Sequence, residues 1–314
     1  MAGFSESINR ASSGSDPLVP EPFVAEVIKE MPKSSAIMNL ARRVPMSTKT
    51  SRQPVMSVLP EAYFVTGDTG RKQTTHAEWD NLELVAEEIA VIVPIPESYL
   101  DDAEIPVWSE VRPYISEAFG RRLDKTALFN EARPSTWGEA VVNSAIAAGN
   151  SVVEGTGEDL AEEVAELLQT LAEEGANPNG FATAPGFHWR LTRLRSTDGL
   201  PIYAPPAGAQ PGTLYGQPLP QIMNGGWFPT VASLIVGDWT KAIWGVRQDM
   251  TFKVFTEGVI SDDSGNVVLN LMQQDSIALR VTARFGWQIA NPVNPVETTA
   301  DNRSYFGVLT PASS

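Results

Sequence analysis

A chain of 314 residues with 42% apolar content can bury a substantial core, as one large domain or two moderate ones. It has no cysteine, which excludes a disulfide framework and thiolate metal sites. Its 38 acidic residues against 23 basic ones leave a net charge of −15, which argues against general affinity for nucleic acid.

The opening segment, MAGFSESINRASSGSDP, has no signal-peptide core, and no apolar run approaches the roughly 20 residues that cross a bilayer, so a soluble chain made in a cytoplasm is expected. Residues 1–54 read as an arm. Ser, Gly and Pro dominate Ser12 to Pro22, then Phe23, Val24, Val27, Ile28 and Met31 recur at helical spacing until Pro32. Such a segment is a poor autonomous fold and needs another surface to lie on.

Residues 55–95 read as a long hairpin. VMSVLPEAYFV leads in, LELVAEEIAVIVPI leads out, and GDTGRKQTTHAEWDN between them is polar. That tip far exceeds the roughly 2 to 5 residues of a tight hairpin loop, which predicts a protruding flap supported from outside its own domain. Apolar positions Trp108, Val111, Ile115, Phe119, Leu123 and Leu128 then predict a helix from Val107 to Glu131, about 37 Å long at 1.5 Å per residue, which Pro113 bends or delays.

From Ser135 to Glu257 the elements shorten. Leu160, Val164, Leu167, Leu168 and Leu171 predict an amphipathic helix ended by Gly175, and Gly199 to Gly226 reads as loop. Short strands are predicted over Ala232–Val236, Ala242–Val246 and Thr251–Phe255. Val267–Leu271, after a polar turn, is expected to pair with the strand that follows. That strand, DSIALRVTARFGWQIANP from Asp275 to Pro292, alternates Ile277, Leu279, Val281, Ala283, Phe285, Trp287 and Ile289 with mainly polar residues. Its thirteen alternating residues would span about 43 Å, so a second long element, the predicted helix, should lie along it.

Chemistry is sparse. Gly155 and Gly157 precede a helix rich in Glu158, Asp159, Glu162 and Glu163, which would repel a phosphate, and the third glycine of a dinucleotide fingerprint is missing. The two histidines, His76 and His188, have no partner at metal-ligand spacing, so neither a metal nor a cofactor is expected. Eight tryptophans, with the pairs Glu87–Glu88 and Asp101–Asp102, leave a carbohydrate-active hydrolase as an alternative. Adjacent carboxylates do not converge on a strand or a helix, which weighs against it.

Charge is segregated. Met31 to Pro60 holds five basic residues and no acid, whereas Pro134 to Trp189 holds nine acids and no Lys or Arg. A basic arm and an acidic lobe can pair between copies of one chain, or each can be a solvated face.

The order of arm, flap, long helix, inserted lobe and long strand resembles the major capsid proteins of tailed bacteriophages, with the Hong Kong 97-type fold. The local carriers are PIPESYLDDAEIPVWSEVRPYISEAFGRRLDKTALFNE, GQPLPQI followed by ASLIVGDWTKAIWGVRQDMTFKVFTEG, and the strand segment above. The resemblance implies an α+β fold with an N-terminal arm at 1–54 and an extended flap at 55–95. It implies a peripheral domain at 96–134 and 258–295, and an axial domain at 135–257 and 296–314.

It further implies a non-catalytic subunit that assembles as pentamers and hexamers into an icosahedral shell around double-stranded DNA, without sequence-specific contact, in the host cytoplasm. The implied partners are copies of itself, a scaffolding protein in trans, a portal protein and, in some systems, a decoration protein; no membrane is implied. Many members begin with a scaffolding segment that is removed, whereas this sequence enters the arm at once. Some members also cross-link a flap lysine; Lys72 holds that place here, with a solvated or ion-paired role as the expectation. An encapsulin-type cargo shell is the alternative of the same fold, disfavoured by Pro17, Pro20 and Pro22. The expected inter-subunit contacts are Arg42, Arg43, Lys49 and Arg52 in the arm, Asp68, Arg71 and Lys72 at the flap tip, and Asp262, Asp263 and Asn266 in the polar turn.

Overall fold

The computed structural model describes residues 35–65, 70–102, 106–195, 203 and 212–312. The expected helix between Phe23 and Met31 and the contact residue Asp68 lie outside them. The chain opens with α1 (Ala36–Leu40), β1 (Arg42–Pro45), β2 (Thr50–Val58), β3 (Glu78–Val85) and β4 (Glu87–Pro96), followed by α2 (Glu97–Asp102) and α3 (Val107–Phe129). Next come α4 (Val141–Ala148), β5 (Ser151–Val153), α5 (Leu160–Glu173), β6 (Gly180–Thr183), α6 (Phe187–Thr192), β7 (Gly212–Leu214), β8 (Gln217–Leu219) and β9 (Leu234–Gly237). The last elements are β10 (Ala242–Phe255), β11 (Val259–Ser261), β12 (Val267–Asn270), β13 (Ser276–Ile289) and β14 (Phe306–Thr310).

The long strand is the axis of a four-stranded sheet ordered β1-β10-β13-β4. The period-two pattern works as expected: Leu279, Val281, Ala283 and Phe285 are buried in one core with Ile115, Phe119 and Leu123 of α3. Arg280, Thr282 and Arg284 occupy the opposite face. On β4, Ile89, Val91 and Val93 pack against the core while Glu88, Ala90 and Ile92 are exposed. Each large apolar side chain buried here contributes roughly 1.5–3 kcal/mol.

Helix α3 runs through Pro113, which forfeits one intrahelical donor near the start without ending the helix. It stops at Asn130, whose left-handed backbone (φ 66°) returns its N–H to the carbonyls of Lys125 and Thr126.

The segment between helix and strand forms a second lobe around the sheet β5-β14-β9-β6. The apolar stripe of α5 supplies the buried Val164, Leu167 and Leu171. Gly307 lets the helix close on β14, because a Cβ there would come within 2.8 Å of Leu167 Cδ1. Asp159 caps α5 by accepting from the N–H groups of Ala161 and Glu162, both at 2.9 Å.

Four expectations need correction. Val267–Asn270 pairs with β11 rather than with β13, since both edges of β13 are already taken by β10 and β4. The two predicted strands at 242–246 and 251–255 are one strand, β10, with register shifts at Val246/Gln248 and Gln248/Thr251. The outgoing limb of the hairpin divides at Ala86: β3 pairs with β2, while β4 runs antiparallel along β13. Finally, the last part of the segment read as an arm lies on the chain's own body, where β1 pairs in parallel with β10 and Ile37 is fully buried.

Candidate assembly surfaces

Asp124 ties the end of the arm to the body. Its carboxylate accepts from Ser35 Oγ at 2.6 Å, from the N–H groups of Ala36 and Ile37 at 3.0 Å each, and from Asn224 Nδ2 at 2.6 Å. A buried carboxyl acceptor at the first turn of α1 satisfies donors that the short helix leaves open. Burial pushes this carboxyl above its ordinary value, and the four donors oppose that rise. Sequence reasoning missed it; the available signal was an acid among Leu123, Ala127 and Leu128 on an apolar face.

Beyond α1 and β1 the chain enters the two-stranded ribbon β2–β3. Its root is fastened to the spine sheet. Leu84, Ala86, Met46 and Ile243 form a small separate core, and Ala86 donates to Lys49 O at 2.8 Å. Gly245 and Gly286 stand in register on β10 and β13; at Gly286 a Cβ would meet Val85 O at 2.9 Å. Near the outer end of β2, Val293 N–H donates to Met56 O at 3.0 Å.

Past that point no other described element supports the ribbon. The described residues between β2 and β3 form no strand or helix, and Tyr63, Phe64 and Trp79 are exposed, Phe64 completely at 104%. The two sides of the tip touch where Tyr63 Oη donates to Gln73 O at 2.6 Å and Glu61 N–H to Thr75 Oγ1 at 3.0 Å. An aromatic side chain left wholly in water on a projecting ribbon is a feature of a surface that something else covers.

The expected contact residues do not gather at one site. Arg42 and Arg43 are exposed on β1, with Arg43 3.7 Å from Asp249 and 5.6 Å from the centre of the Trp244 ring. Lys49 sits at the ribbon root, 4.0 Å from Glu87. Arg52 is exposed on β2 in register with Glu83, and Arg71 and Lys72 are exposed in the tip. Asp262, Asp263 and Asn266 form the exposed turn of the β11–β12 hairpin. Asp262 accepts there from Ser264 N–H at 3.0 Å and from Asn266 N–H at 2.8 Å. Its bond from the Asn266 side chain, and then that backbone bond, hold its carboxyl below the ordinary range.

Chemical sites fare differently. The amides of the Gly155–Gly157 loop are filled from within: Glu163 accepts from Gly155 N–H and, at 3.3 Å, from Gly157 N–H, while Glu162 accepts from Glu158 N–H at 2.6 Å. The chain's own carboxylates take the place a phosphate would need. His76 is 3.7 Å from Glu78, and His188 packs edge-on against Trp189 and Tyr203. Among the described residues no cluster could hold a metal ion.

A spine of long helix on long strands, an inserted second lobe and an outlying ribbon place the chain in the class of phage-capsid-like folds. The phage capsid family model matches residues 16–298. The major capsid protein of Staphylococcus phage 80alpha is 25% identical over 273 residues, covering 86% of this chain and 81% of its own. A solved chain from Microbacterium phage Oxtober96 is 35% identical with a TM-score of 0.83, over 94% of this chain and 97% of its own. One from Mycobacterium phage Adephagia is 27% identical with a TM-score of 0.84, over 98% and 99%. A capsid of a native GTA particle computed with C5 symmetry, 13% identical with a TM-score of 0.72 over 98% and 100%, shares the fold. The chain belongs to the phage capsid family, as a structural, non-enzymatic major capsid protein of the virion.

Proposed function

We propose that copies of this chain assemble as pentamers and hexamers into an icosahedral shell that encloses double-stranded DNA. In this reading the spine sheet with α3 is the peripheral domain, the second lobe is the axial domain around each ring, and the β2–β3 ribbon is the extended flap that lies on a neighbour. The N-terminal arm runs to other subunits before its end is fixed by Asp124. Assembly takes place in the host cytoplasm, with a scaffolding protein in trans, a portal at one vertex and, in some systems, a decoration protein.

The observation that carries this reading is the ribbon. It is held at its root by a small core and, among the described residues, has no support at its tip, where Phe64 is fully exposed. Closed rings of identical copies supply that support many times over, so contacts that are weak singly hold together as a set. The net charge of −15 suits a wall that must release DNA rather than grip it. The phage source of the related chains favours a virion over a cargo compartment. Negative-stain microscopy of the chain expressed with its scaffolding protein tests the proposal: closed particles of uniform size are expected, and a soluble monomer or dimer at high concentration contradicts it.

A further inference from the structure

The free face of the spine sheet has a charge that the whole chain does not. Arg284, Arg280 and, in register with Arg280 on the adjoining strand, Lys253 lie along it, with the exposed Ile92 opposite Arg280 on β4. Like charges directly across a strand pair disfavour each other, so the row is an unfavourable arrangement for an isolated subunit. Arg284 is paired with Glu88 at 2.8 Å, whereas Arg280 has no ion pair among the described residues and stacks on Phe255, 4.6 Å from its ring centre.

The row ends at the ribbon root in a cleft of ≈ 290 Å³, lined by Lys49, Arg247 and Arg284 against Glu87 and Glu88. Arg247 is there because of the register shift between Val246 and Gln248, which makes it the extra residue of a bulge. Bulges re-aim side chains. Among the described residues neither Arg247 nor Lys253 has a carboxylate partner.

A complementary surface exists on the same chain. Alternate residues of β3 share a face, so Leu84 and Leu82, which seat the ribbon on its own sheet, are followed outward by Asp80 and Glu78. Both acids are exposed, and neither makes an ion pair with the row on its own subunit. The ribbon underside is thus apolar at its root and acidic toward its tip, with Asp80 at the edge of a cleft beside Ile289 and Asn291 of its own body and Glu78 further out.

We infer that the basic row from Lys253 through Arg280 and Arg284 to Arg247 receives the acidic outer half of β3, Glu78 and Asp80, from the flap of another copy. This rests on the shell reading above and adds to it the docking track and the charges that set its register. Complementary charges of this kind steer encounter and fix alignment, while reversed charges repel.

Charge exchange tests it. Particle yield is measured by sedimentation and microscopy for a receptor reversal (Arg247→Glu with Lys253→Glu) and a flap reversal (Glu78→Lys with Asp80→Lys). It is measured also for the chain carrying all four changes, with the thermal midpoint of each unassembled chain recorded alongside. All four positions are exposed, so the midpoints should stay near wild type. Each reversal alone is expected to lower the yield of closed particles at least about tenfold, and the four changes together to restore it to within about threefold. Normal assembly of either reversal, or a folded fourfold variant as defective as its parents, would overturn the pairing while leaving the shell reading intact. Absence of particles from the wild-type chain under the same conditions would overturn the shell reading and the pairing with it.

Discussion

Gly245 and Gly286 face each other across β10 and β13, and together they form the seat on which the flap root rests. The two are unequal. A methyl group on Gly245 would meet Met46 Sδ at 2.4 Å and Leu84 Cδ2 at 2.6 Å, both side-chain ends that can turn aside. On Gly286 it would meet the Val85 backbone oxygen at 2.9 Å, which can move only with the ribbon.

Gly286→Ala is therefore expected to cost more than Gly245→Ala, about 1–3 kcal/mol, and to shift the flap relative to the sheet. Thermal unfolding of the two variants gives the ranking, and faster hydrogen exchange over residues 82–86 in Gly286→Ala alone reports the displaced root.

Asp124→Asn places an amide where four donors converge, so one N–H group faces other donors. A loss of about 2–4 kcal/mol is expected, against about 1 kcal/mol for Ser35→Ala, which removes the cap of α1. The two losses should fall short of additive, because both remove the same bond. A double-mutant cycle in urea checks this, and strict additivity contradicts the shared contact.

Glu154 and Arg190 form a two-point pair at 2.8 Å and 2.8 Å between the end of β5 and α6. Burial is the largest single influence and would raise the Glu154 carboxyl, but the hydrogen bonds from Arg190 and Ser233 and the Arg190 charge together outweigh it, and the group sits below its ordinary value of 4.5. A depressed carboxyl contributes stability that is complete above the ordinary value and is lost as pH falls through the lower folded one. Wild type should therefore lose more stability than Glu154→Gln between pH 5 and strongly acid conditions. Parallel unfolding curves for the two across that range would refute the assignment.

Arg42→Glu with Arg43→Glu is expected to impair assembly more than folding. Both side chains are exposed, and the one described ion pair, Arg43 to Asp249 at 3.7 Å, is open to solvent and worth about 0–1 kcal/mol. A near-normal thermal midpoint with few closed particles is the predicted combination; a midpoint lowered by many degrees would make these arginines structural instead.

How far the sequence carries can be judged element by element. The spine was legible because β13 and α3 are long and strongly periodic: thirteen alternating residues define one face, and Ile115, Phe119 and Leu123 define the other layer. The partner of Val267–Asn270 was not legible, since a four-residue apolar strand carries no information about which edge is free. The single strand β10 was mistaken for two because its bulges break the alternation at Arg247 and around Asp249. Docking of the arm's end escaped notice because it depends on Asp124 and Asn224, which are distant in sequence and meet only in the fold. The contact residues were legible as charges, but not their grouping, which register and bulges decide.

The claim that the flap is completed by other copies is tested most directly by hydrogen exchange over residues 59–77, compared between the unassembled chain and closed particles. The account predicts fast exchange in the free chain and strong protection in the particle, extending to the peptide that holds Phe64. Equal exchange in both states would contradict it.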